Sequence, residues 1–188
     1  MTRPRFASVA VAVVLLLGGC GGKSGNTEAF ASKFCTAFGA WFGGITQENQ
    51  KVNSTLGPNA RPKEAKRRLH AFFDAVVKDT DQFLRSINSA GVPDVEGGDR
   101  FVAQMKESFG KFKATYERAR DQVDGLPSEP AAFKAGVTKL TNTLQSSLSG
   151  VNEAFNRPPS NEIKQAFEKS PDCQRLRGNP TAGASPGS

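Results

Sequence analysis

Four long stretches of this chain repeat their apolar residues every three or four positions. That period puts the residues on one face of a helix, and it constrains the fold more than any other feature. The first stretch carries Phe30, Phe34, Phe38, Trp41 and Ile45, and the second Leu69, Phe72, Phe73, Val76, Thr80, Phe83, Leu84 and Ile87. The third carries Phe101, Met105, Phe109, Phe112, Tyr116, Ala119, Val123 and Leu126, close to the heptad spacing of shallow helix packing. The fourth carries Phe133, Val137, Leu140, Leu144, Leu148, Val151 and Phe155. No stretch alternates with the two-residue period of a strand.

The spacing predicts helices over about Thr27 to Lys51, Pro62 to Ala90, Asp99 to Asp124 and Glu129 to Asn156. A short fifth helix over Ser160 to Lys169 carries Ile163 and Phe167. Asn26 or Thr27 suits the first N-cap, and Ser128 or Glu129 the fourth. Pro62 suits a first helical turn, and Gly91 a stop. Gly57-Pro58, Gly125 with Pro127, and Pro158-Pro159 break the chain between segments. Gly39, Gly43 and Gly44 weaken the first helix but admit a close neighbour, or else a kink. The expected fold is all-α: an antiparallel four-helix bundle with a short fifth C-terminal helix. A stack of helical hairpins would use the same segments.

The N-terminus follows a different logic. Arg3 and Arg5 precede a twelve-residue apolar run, Phe6 to Leu17, which is too short to span a bilayer. It has the length and flanks of an export signal. The following Leu17-Gly18-Gly19-Cys20 resembles the bacterial lipobox: an aliphatic residue, two small ones, then Cys. The resemblance covers about residues 1 to 22 and implies a lipoprotein precursor. Residues 1–19 would be the signal peptide. Cys20 would carry the lipid, including palmitate, and become the new N-terminus on the extracytoplasmic face of a cell membrane. Two or more fatty chains hold a protein durably where one does not.

Residues 20–26 would then be the anchor and a flexible tether, 27–176 the helical domain, and 177–188 a disordered tail of Gly, Pro, Ser and Ala. The 169 residues from Cys20 onward suffice for one real core. The whole chain has a net charge of +7, and losing Arg3 and Arg5 leaves about +5. With Cys20 lipidated, two of the three cysteines remain, Cys35 and Cys173. Exported proteins keep disulfides. A bridge between these two would tie the first helix to the end of the fold.

Residues suited to catalysis are sparse. His70 is the only histidine and flanks a core stripe, which suits a boundary position better than a triad. One His and two bridged Cys do not make a zinc site. Asp94, Glu96 and Asp99 straddle Gly97-Gly98 without calcium-loop spacing, and suit the start of the third helix instead. No phosphate-binding glycine motif is present. The expectation is therefore a non-enzymatic protein without metal or cofactor.

Three features suit binding. Arg61, Lys63, Lys66, Arg67 and Arg68 gather at the start of the second helix, opposed only by Glu64, and suit an anionic surface. Between Lys139 and Glu153 no charge appears, so the fourth helix presents Thr, Asn, Gln and Ser. That face suits a protein or glycan contact, or close packing on several sides. The Phe-rich interior is either a filled core or a pocket for an apolar ligand. Export argues against nucleic acid as a partner. The expected function is an envelope-tethered binding or interaction module with a protein or cell-wall partner. The alternative is a carrier of an apolar ligand or lipid, with an enzyme third.

Overall fold

The computed structural model describes residues 22–55, 61–156 and 160–178. The expectations for the signal, for Cys20, for Gly57-Pro58, for Pro158-Pro159 and for residues 179–188 lie outside those residues. The described chain is helical: α1 (Gly22–Thr55), α2 (Pro62–Ala90), α3 (Gly98–Val123), α4 (Pro130–Asn156), α5 (Asn161–Lys169) and α6 (Pro171–Gly178). None of these helices is long and apolar enough to cross a membrane.

The helix ends follow local chemistry. Pro62 occupies the first turn of α2 after an extended Arg61. Gly91 stops that helix at φ 86°, in a left-handed region open to glycine. Glu129 caps α4, accepting from the backbone N–H groups of Ala131 at 3.0 Å and Ala132 at 2.7 Å. Those two bonds hold its carboxyl below the usual carboxylate range. Ser160 caps α5 by accepting from Ile163 N–H at 3.3 Å.

Two boundaries differ from expectation. α1 begins at Gly22, so residues 22–26 of the expected tether are helical. Thr27 does not cap it, because Thr27 is a buried interior residue one turn before Phe30 and Ala31. At the other end, α6 is an additional helix, and it takes in Arg177 and Gly178 from the expected tail. Its apolar positions are the buried Cys173 and the half-buried Leu176, two in eight residues and too few for a periodic signal.

The core runs through α1, α2 and α3. Phe30, Phe34, Phe73, Phe83, Phe109 and Phe112 are almost completely buried. Trp41 meets Phe109 edge to face at 4.9 Å and Phe112 at 5.3 Å, and Phe83 lies 4.5 Å from Phe109. Such ring pairs add about 0.5–1.5 kcal/mol each beyond the area they bury. One polar link crosses this interior. The Trp41 indole N–H donates to Thr80 Oγ1 at 3.0 Å, and that hydroxyl donates to the Val76 carbonyl at 2.7 Å.

Helices α5 and α6 dock on α1. Phe167 of α5 packs 5.3 Å from Phe34 and 5.6 Å from Phe101. Asp172 of α6 accepts from the Ser32 hydroxyl, and this bond holds its carboxyl below the usual range. The Sγ atoms of Cys35 and Cys173 stand at bonding distance, 2.06 Å, with Cα atoms 5.1 Å apart.

α4 is less enclosed than its stripe predicts. α3 is its one substantial neighbour among the described residues, while α1 meets α2, α5 and α6. Leu140 and Val151 are buried, Phe133, Val137 and Leu144 are half-buried, and Leu148 is exposed. The uncharged face of α4 is open rather than packed on several sides.

Candidate functional site

In α1 the core stripe is Phe30, Phe34, Phe38, Trp41 and Ile45. One residue earlier at nearly every step stand Lys33, Ala37, Ala40 and Gly44, a second face turned about 100° from the first. α2 repeats the arrangement: Ala75, Asp79, Gln82 and Ser86 each precede the core residues Val76, Thr80, Phe83 and Ile87. Ala37, Ala40 and Gly44 on one face and Ala75 and Ser86 on the other leave a depression where the two helices meet.

The result is a groove of about 1150 Å³. Ala37, Ala40, Trp41 and Gly44 of α1 and Ala75 and Phe83 of α2 contribute its small and apolar lining. Lys33, Gln47 and Glu48 lie along one side, and Lys78, Asp79, Gln82 and Arg85 along the other. Lys33 and Glu48 are fifteen residues apart on one helix, about 22 Å at ~1.5 Å per residue.

The centre of the groove depends on Gly44. A Cβ at this position would stand 2.5 Å from Asp79 Oδ2, so only glycine leaves the carboxylate its present place. Asp79 is half-buried and makes no hydrogen bond or salt bridge among the described residues. Burial pushes its carboxyl above the usual range, Glu48 adds to that, and Lys78 opposes it. Glu48 is held by Lys51 at 2.6 Å. The side chains of Lys33, Lys78 and Arg85 have no salt-bridge partner among the described residues. The groove is therefore positive toward Lys33 and Arg85, while farther along it holds the unpaired Asp79 carboxylate with Lys78 next to it in the chain.

The five basic residues expected to bind an anionic surface are together at the start of α2, but three of them are engaged. Arg67 and Arg68 both pair with Glu64, the latter at 3.0 Å, and Arg67 chiefly holds the Glu64 carboxyl low. Lys66 donates to the Asp124 carbonyl at 2.8 Å, at the end of α3 where cations are favoured. His70 Nε2 lies 2.8 Å from Asp124 Oδ1, joining the same two helix ends. Arg61 and Lys63 keep exposed side chains without a salt bridge among the described residues.

Contacts between α1 and α2 run in opposite directions along the two helices: Phe34 meets Phe83, Trp41 meets Thr80 and Gly44 meets Asp79. The start of α2 therefore lies toward Thr55, at the far end of α1 from Gly22. Those 34 residues span about 50 Å.

The other expected features are placed as follows. Asp99 lies in the first turn of α3, and Asp94 and Glu96 precede it in exposed backbone. Along α4, Thr141, Thr143, Ser146, Ser147 and Ser149 donate their hydroxyls to carbonyls of their own helix. This face spends those donors internally. The groove was not anticipated from sequence, although small or polar residues one step ahead of each stripe were visible there.

No family model, curated protein or solved structure matches this chain.

Proposed function

We propose that this protein is a membrane-tethered, non-catalytic binding module of the bacterial envelope, engaging its partner through the α1–α2 groove. In this reading the four long helices form an up-down-up-down antiparallel bundle. Lipid on Cys20 holds the Gly22 end of α1 at the outer face of the cell membrane. The observation that carries the reading is the groove itself. Its wall cations Lys33, Lys78 and Arg85 have no salt-bridge partner among the described residues, its centre holds a half-buried Asp79 without a hydrogen bond, and its lining is small enough to admit another molecule.

The orientation supports a role for the groove over the basic cluster in membrane contact. An α1 standing away from the bilayer carries Arg61 and Lys63 about 50 Å from its Gly22 end. Headgroup attraction fades within a Debye length of about 8–10 Å. The groove lies along the side of the same helix and remains open in either posture.

The test is photo-crosslinking on intact producing cells, with a photoreactive residue at Gln82 in the groove or at the exposed Ala103 of α3. The expected result is a discrete adduct from Gln82 and none from Ala103. Equal labelling at both positions, or none at either, overturns the proposal.

A further inference from the structure

We infer that the groove seats an α-helical segment of a partner protein, with acidic side chains beside Lys33 and Arg85 and a basic one beside Asp79. This rests on the groove being the binding face and adds what occupies it.

Shape comes first. The depression follows the seam of two neighbouring helices whose contacts run in opposite directions, and its long dimension is about 22 Å. A helix of about fifteen residues, four turns, has that length. Ala37, Ala40, Gly44 and Ala75 are small along the seam, so a third helix axis can approach to the 8–10 Å of ordinary helix packing. An extended strand finds no free sheet edge here: among the described residues every element is a helix.

Charge gives the occupant its polarity. Lys33 stands near the Gly22 end of the groove, and the opposed direction of α2 sets Arg85 beside that end and Asp79 farther along. The groove thus offers Lys33 and Arg85 at one end, then the half-buried Asp79 carboxylate with Lys78 next to it in the chain, then Glu48 already held by Lys51. A neutral or uniformly anionic glycan satisfies only one end of that sequence. A helix satisfies both when its acids and bases lie two to four turns apart. The small central lining favours apolar or small side chains at i, i+3, i+4 and i+7 between them.

The experiment uses the full-length protein in producing cells. Photoreactive residues are placed singly at Thr36, Ala40 and Gln82, with Ala103 as the control, and the partner residues joined are read by peptide mass spectrometry. The expected result is one partner segment in which moving the probe one turn, from Thr36 to Ala40, moves the joined residue by three or four positions. Acidic residues should lie on the Thr36 side of that segment and a basic one farther along, beside Asp79. The exposed double variant Lys33→Glu/Arg85→Glu should lower the Thr36 adduct at least about tenfold, while Lys33→Arg/Arg85→Lys retains it. Helical circular dichroism confirms that both variants fold.

Adducts on glycan or lipid, steps of two residues or scattered sites, or a yield indifferent to charge reversal would overturn the helical occupant and leave the groove as a binding face. Groove positions that label no better than Ala103 would remove both readings.

Discussion

Removing the bridge between Cys35 and Cys173 should cost this fold several kcal/mol. The two residues are 138 positions apart, so the bond closes nearly the whole described chain into one loop. The chain-entropy relation gives about 5 kcal/mol for a loop of that length, and measured bridges commonly give 2–4 kcal/mol. The double variant Cys35→Ala/Cys173→Ala does not undock α5 and α6 outright. Phe167 keeps its packing against Phe34 and Phe101, and Asp172 keeps its bond from Ser32. We therefore expect a loss of about 4 kcal/mol in urea unfolding followed by circular dichroism. At about 2–4 °C per kcal/mol for a domain of this size, the melting midpoint should fall by roughly 10–15 °C. A loss below about 1 kcal/mol would refute the reasoning, because the clasp would then contribute little to holding the chain's ends together.

Thr80→Val leaves the Trp41 indole N–H buried without its acceptor and should cost about 1–3 kcal/mol, with Thr80→Ser largely restoring stability. Because Trp41 is the only tryptophan, its fluorescence should report the same change. Gly44→Ala should raise stability by up to about 1 kcal/mol through helix propensity, since Asp79 can swing toward solvent, while reducing adduct formation at Gln82. A destabilised Gly44→Ala with unchanged adduct yield would contradict the assignment of the groove. The two perturbed aspartates should respond to pH with opposite signs. The raised Asp79 carboxyl opposes folding once pH passes its ordinary value, so Asp79→Asn should be the more stable protein at neutral pH. Its advantage should vanish as pH falls below about 4. The lowered Asp172 carboxyl favours folding above its ordinary value, so Asp172→Asn should be the less stable at neutral pH. That deficit should shrink as pH falls through the lowered value, and urea midpoints across pH check both.

The helices were legible because each stripe is a local property. The bounds of α2 match the sequence expectation, and α3, α4 and α5 agree within one residue. The Cys35–Cys173 pairing was also legible once Cys20 was set aside. What escaped depends on relations between helices. Nothing in α4 alone shows that α3 would be its one substantial neighbour among the described residues, which is why Leu148 sits in the stripe yet is exposed. Lys66 looked like a free cation because its acceptor, the Asp124 carbonyl, lies 58 residues away, whereas Glu64 sat within one turn of Arg67 and Arg68 in plain view. The groove needs the register that sets Gly44 beneath Asp79, and a single helix period does not encode register.

The whole functional account depends on a lipid at Cys20 holding the chain outside the cell. Mass spectrometry of the N-terminal peptide from protein purified out of producing cells tests this directly. The account predicts a chain beginning at Cys20 with a diacylglyceryl thioether on its sulfur. A chain that still begins at Met1, or a Cys20 with a free thiol, would contradict it.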